Sequence, residues 1–203
     1  MGQQDRATHL HFAVATGDMA EVRTLLTAGV AVDAVDGRGR TALLLAVEGD
    51  HVEIALALLA AGASPNVQAA NQDTPWLLAG ASGRTAILAA MLPHAPDMSI
   101  RNRFGGNALI PACERGHVET VELLLKTPIE VDHVNRLGWT CLLEVVLLGD
   151  GGTRHQEVAR MVLSAGADPN LADGQGVTPL AHALARGQTE IAAIIRAAGG
   201  RMK

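Results

Sequence analysis

Aromatic residues are nearly absent: the 203 residues contain no tyrosine, two phenylalanines and two tryptophans. The core therefore has to be built from Ala, Leu, Val and Ile, within a hydrophobic fraction of 48%. Cysteine is equally scarce. Cys113 and Cys141 are too few for a disulfide-framework scaffold and lack the spacing of a metal site. No apolar run approaches the ~18 residues that suggest a membrane span. The opening Met1-Gly2-Gln3-Gln4-Asp5-Arg6 has no apolar signal-peptide region, and Arg6 stands where a myristoylation signal needs Ser or Thr. Basic charge is in deficit, with Lys+Arg 16 against Asp+Glu 21 and a net charge of −5, which disfavours nonspecific nucleic-acid binding. Charge blocks are missing too, so long disorder is not expected. A chain this long can bury a core without staples. A soluble cytoplasmic protein is expected.

What the chain does have is a repeat. Thr41, Thr74, Asn107 and Thr140 fall 33 residues apart, with Thr8 before them and Thr178 after a step of 38. Three apolar columns keep the same register. They are Leu10, Leu43, Trp76, Leu109, Leu142 and Leu180; Ala13, Ala46, Ala79, Ala112, Val145 and Ala183; and Leu25, Leu58, Met91, Leu124, Val162 and Ile195. A turn column reads Gly17, Asp50, Gly83, Gly116, Gly149 and Gly187.

Each unit has one physical layout. Thr or Asn offers an oxygen to an orphan N–H and caps a short helix. The large apolar residue and the alanine three positions on share a face of that helix. Glycine suits a left-handed turn into a second amphipathic helix, which ends at Gly29, Gly62, Gly166 or Gly199. Two short helices cannot bury their apolar faces alone, so neighbouring units must stack. The fold class is all-α: a solenoid of six stacked helix-turn-helix repeats joined by extended polar segments, with first helices on the concave side. The whole of 1–203 reads as one domain. Its units are approximately 1–35, 36–68, 69–101, 102–134, 135–172 and 173–203, with a five-residue insertion at 150–154. Asp18, Glu21 and Arg23 in the first unit, and Arg196 in the last, give polar outer faces, as capping repeats require. A complete, self-standing domain is expected.

These residues resemble the ankyrin-repeat family, and the resemblance covers the whole chain. It is carried by Gly39-Arg40-Thr41-Ala42-Leu43, Gly62-Ala63-Ser64-Pro65-Asn66, Gly116-His117-Val118-Glu119, Gly166-Ala167-Asp168-Pro169-Asn170 and Thr178-Pro179-Leu180. The chain is also similar to small stand-alone bacterial members of the family, whose function is unknown. The resemblance implies finger-like turns, a concave groove and recognition of a protein or peptide partner, without identifying it. There are departures. Most units replace the family's Thr-Pro-Leu-His histidine by an aliphatic residue. The third and fourth units lack the terminal turn glycine. Pro111 sits inside a first helix, where it forfeits one backbone bond.

Partner-facing positions in this layout are the finger tips and first-helix ends. They are Arg38, Arg40 and Glu48; Asn71 and Asp73; Arg101, Arg103, Phe104, Glu114 and Arg115; and Arg136, Leu137, Trp139, Leu147 and Leu148. Phe104 and Trp139, flanked by arginine, have the composition of interface anchors, although both could instead pack between fingers. Trp76 occupies a core leucine column and is structural. The arginines either form a basic stripe for an acidic ligand or pair locally with Asp36, Glu48, Asp73 and Glu114. The Gly151-Gly152 insertion reads as flexible, either a recognition loop or a tolerated addition.

No metalloprotease, nucleophile-elbow or phosphate-loop pattern is present. His51, His117 and His155 recur in register, each with a glutamate two residues on, and read as framework at helix starts. Cys113 and Cys141 read as small buried residues rather than nucleophiles. Glu114, Glu144 and Asp150 are the carboxylates worth inspecting for a cleft. The expectation is a non-catalytic protein–protein interaction module, monomeric, without cofactor or metal. The alternative is a small-ligand receptor or enzyme with a site in the central groove.

Overall fold

The computed structural model describes residues 2–203. Twelve α-helices occur among them: α1 Gln3–Thr16, α2 Met19–Thr27, α3 Ala42–Glu48, α4 Val52–Ala60, α5 Pro75–Ala81, α6 Thr85–Met91, α7 Leu109–Glu114, α8 Val118–Leu125, α9 Cys141–Leu147, α10 Thr153–Ser164, α11 Pro179–Ala185 and α12 Thr189–Ala197. A single 3₁₀ turn, Leu92–His94, follows α6. No strand forms among the described residues; one isolated bridge joins Val35 and Thr41. The odd helices are the expected first helices, and the even ones the second.

The chain divides into two compact units. The first holds residues up to 79 together with 84–103, and the second holds 80–83 with 104–203. Within the first, α1 packs on α2 and α3, α3 on α4, and α4 on α2 and α6. Within the second, α9 packs on α7 and α11, and α10 on α8 and α12. First helices thus meet first helices, and second helices meet second. Every member of the three apolar columns is buried, Trp76 included, at 1% exposure.

Caps hold where the Thr/Asn column placed them. Thr41, Thr74, Thr140 and Thr178 accept from the backbone N–H of Leu44, Leu77, Leu143 and Ala181, and Asn107 accepts from Leu109 and Ile110. The first unit departs. α1 begins at Gln3, so Thr8 lies inside it and donates to the Gln4 carbonyl instead of capping.

The turn column is left-handed at Gly17, Asp50, Gly83, Gly116 and Gly187, but not at Gly149. In the fifth unit the insertion moves that role to Gly151. At the other end of the third repeat, Ala95 is left-handed where the terminal turn glycine is missing. The insertion is also ordered by its own side chains. Asp150 accepts from the Gly152 N–H at 2.8 Å and from the His155 ring at 2.7 Å, while Thr153 and Arg154 open α10. The composition of 150–154 suggests flexibility; the Asp150 turn and its bond to His155 override it.

The histidine register is framework. From α4 onward, the residue just before or at the start of the second helix reaches back to the turn of the preceding repeat. His155 meets the Glu114 carbonyl at 2.9 Å, Gln188 donates to the Val146 and Gly149 carbonyls, and Arg84 pairs with Asp50 at 2.9 Å. The His51 ring lies against Gly17 and Gly49, and the His117 ring against Gly83.

Candidate functional site

Three of the fingers are tight hairpins, each organised by one hub residue at the base. In the second repeat the hub is Asp36. Its Oδ1 accepts from the backbone N–H of Arg38 and Arg40, and its Oδ2 from the Arg40 guanidinium at 2.8–2.9 Å. Arg40 then bridges to Glu48 at the end of α3, also at 2.8 Å. Burial alone would raise the Asp36 carboxyl, but these donors outweigh it and hold it below the usual carboxylate range. A pocket of about 500 Å³ opens beside this hub, lined by Gly37, Arg38, Arg40, Glu48, Ala70 and Asn71. Asn71 is engaged with Asp73 at 2.8 Å, and Arg103 lies 3.8 Å from Asp73. Arg101 donates to the carbonyls of Met98 and Ile100.

The second unit repeats the device with other residues. Asn135 Oδ1 accepts from the N–H of Leu137 and Trp139, and its Nδ2 donates to Glu144 Oε1 at 2.8 Å. In the last repeat Asp173 accepts from Gln175, Val177 and the His182 ring at 2.7 Å. Asn135 and Asp173 tie their fingers to the first helix nine residues on, at Glu144 and His182, whereas Asp36 reaches α3 through Arg40 and Glu48. Glu144 is buried at 4% exposure. Burial, with the nearby charge of Glu114, pushes its carboxyl up to about 7 despite the Asn135 bond.

All fifteen predicted partner-facing residues reach the surface. Arg38, Glu48, Asn71, Arg103, Phe104, Arg115, Arg136, Leu137 and Leu148 are exposed, and Arg40, Asp73, Arg101, Glu114, Trp139 and Leu147 are partly buried. The first unit gathers Arg38, Arg40, Glu48 and Asn71 around one pocket. The second joins the Phe104 and Leu137 fingers, the Arg136 N–H donating to the Phe104 carbonyl at 2.9 Å. Arg115 donates to the Ala81 carbonyl, not to Glu114. Local pairing thus holds Arg40 and Arg103; the Arg38 guanidinium has no partner among the described residues.

Phe104, Leu137 and Leu148 are 50%, 54% and 49% exposed. Phe104 and Leu137 occupy the same finger position in consecutive repeats. Sequence reasoning missed Phe12, which is 70% exposed on the first helix. It also missed the hub role of Asn135 and Asp173. Among the described residues, no three His, Cys, Asp or Glu side chains are placed to hold a metal ion. Cys113 and Cys141 are buried, as expected, and beyond that expectation they are joined by a disulfide.

The paired helices, caps and finger hairpins recur in known proteins. The sequence matches the family described as ankyrin repeats (3 copies) over residues 1–69 and 76–173. The chain belongs to the ankyrin repeat family. This ankyrin repeat protein is 41% identical to YahD, an ankyrin repeat protein of Escherichia coli (strain K12), over 92% of the chain and 94% of YahD. The crystal structure of an ankyrin repeat domain from Acinetobacter baumannii AYE superposes with a TM-score of 0.91 at 45% identity, covering 95% of this chain and 98% of that one. The ankyrin repeat domain of Bcl-3, a member of the IkappaB protein family, superposes at 0.84 with 27% identity, covering 95% and 86%. Ankyrin repeat domains are generally protein–protein interaction modules and typically non-enzymatic. No helix among the described residues is long and apolar enough to cross a membrane.

Proposed function

We propose that this ankyrin repeat protein is a non-catalytic cytoplasmic binding module, monomeric when free, that takes a protein or peptide partner on its finger tips and first-helix ends. The observation that carries this reading is the exposure of Phe104, Leu137 and Leu148 on the second unit's fingers and first-helix end. Large apolar side chains held at half exposure on rigid hairpins suit an interface anchor. Trp139 and Leu147, half-buried beside them in register, supply a floor. In the first unit Arg38, Arg40, Glu48, Asn71, Asp73, Arg101 and Arg103 supply polar contacts. The hub bonds fix these groups before binding, so little ordering entropy is lost on docking.

The test is a capture experiment from a lysate of the protein's own source, with wild type beside Phe104→Ala/Leu137→Ala. Both side chains are exposed, so the double variant should melt with the wild type. It should lose the captured protein, with affinity weakened by about 30-fold or more. Equal capture by both proteins would rule out this face.

A further inference from the structure

Cys113 lies in α7 and Cys141 opens α9, the first helices of two consecutive repeats. Their Cα atoms are 5.6 Å apart, the two residues are 0% and 1% exposed, and a disulfide joins them across 28 residues of chain. The repeat explains why they meet. The sixth residue after one cap and the first residue after the next cap face each other at a junction between repeats. Gly80 and Ala108 are the preceding such pair: a Cβ built on Gly80 would lie 2.8 Å from that of Ala108. The same register holds Val14 with Ala42, Val47 with Pro75, and Val146 with Pro179, all buried. None of these pairs can crosslink, so stacking at this position needs no covalent bond. A buried cysteine thiol behaves as a small hydrophobe and suits the same columns. The junction therefore accommodates either oxidation state.

We propose that Cys113 and Cys141 form a reversible oxidation site, a dithiol under reducing conditions that closes to a disulfide by exchange with a low-molecular-weight disulfide such as oxidised glutathione, stapling α7 to α9. The chemistry balances. One cysteine thiolate attacks the glutathione disulfide and expels the first glutathione. The second cysteine thiolate attacks the resulting mixed disulfide and expels the other. Two electrons pass from the protein sulfurs to the glutathione sulfurs, and both thiol hydrogens end on the released glutathiones. Two glutathione thiols run the sequence backwards. Both cysteines are buried, so each attack waits on a local opening of the junction, and the exchange is slow compared with that of an exposed pair. The consequence is mechanical: α9 leads to Leu147 and Leu148, so closure stiffens the helix that carries them.

The test uses the whole chain and needs no partner, so its outcome is separate from that of the binding reading. The protein is equilibrated in mixtures of reduced and oxidised glutathione, quenched with an alkylating reagent and weighed intact. Hydrogen exchange of α7 and α9 is followed in the same samples. The expected result is one transition from a doubly alkylated to an unalkylated chain, reversible without denaturant. Exchange through opening of this junction should slow on the order of 100-fold in the closed form. The variant Cys113→Val/Cys141→Ala copies the Val14–Ala42 junction; it should exchange like the dithiol form at every glutathione ratio. Thiols that stay alkylatable throughout, a glutathione adduct accumulating on either cysteine, a disulfide that no mixture reduces, or unchanged exchange would each overturn the proposal.

Discussion

Glu144→Gln should make the protein more stable at pH 8 and remove the part of the pH dependence between 5 and 8 that Glu144 supplies. Glu144 lies on α9, buried, with one carboxyl oxygen bonded to Asn135 and the charge of Glu114 nearby. Burial first, and Glu114 second, lift it from an ordinary 4.5 to about 7 in the folded chain. Below pH 4.5 the carboxyl is neutral in both folded and unfolded chains and has no effect. Between 4.5 and about 7 the unfolded chain ionises while the folded chain does not, so stability falls as pH rises. Above about 7 the loss levels off at about 3 kcal/mol. Asp36 and Asp173 have folded values below 3.8, so their own ionisation changes at more acid pH. Glutamine keeps an oxygen for the Asn135 amide and carries no charge. Urea denaturation of both proteins at pH 5 and pH 8 reads the difference directly. Across this window the wild type should lose roughly 2–3 kcal/mol more than the variant does. Parallel curves for the two proteins would refute the reasoning.

Further outcomes follow from the same geometry. Asp36→Ala removes the acceptor of two finger N–H groups and of the Arg40 guanidinium, and should cost about 2 kcal/mol in chemical denaturation at pH 7. In the wild type that contribution should fade as the solution is acidified below pH 3.8, because the folded carboxyl is the stronger acid. Gln72→Gly relieves a left-handed backbone, φ 64°, in a finger tip and should raise stability by about 1 kcal/mol in the same assay. Trp76→Ala empties the largest fully buried site and should cost roughly 3–5 kcal/mol, lowering the thermal midpoint without touching any exposed finger.

The repeat made the fold legible because its columns each hold one kind of chemistry: a capping oxygen, a large apolar group, an alanine. Stacking selects those types at every repeat, and a single chain then displays the selection several times over. The hubs were illegible for the converse reason. Their column reads Asp36, Ala69, Asn102, Asn135 and Asp173, and how each reaches its first helix differs: Asp36 works through Arg40, whereas Asn135 and Asp173 use the residue nine positions later. Leu45 and Pro111 at that position offer no acceptor or donor, whereas Glu144 and His182 do. The insertion was visible as five surplus residues, but its order comes from Asp150 reaching both Gly152 and His155. Thr8 misled because a capping residue caps only where the chain before it leaves the helix. The cysteine pairing required knowing which columns of adjacent repeats touch, which spacing within one repeat does not disclose.

The most direct test of the central claim is a hydrogen-exchange footprint of the chain with and without its captured partner. The binding-module account predicts that protection falls on the fingers and first-helix ends around residues 101–115 and 134–148, with the second helices α8 and α10 unchanged. Protection confined to α8, α10 and α12 would contradict it and move the binding surface to the opposite set of helices.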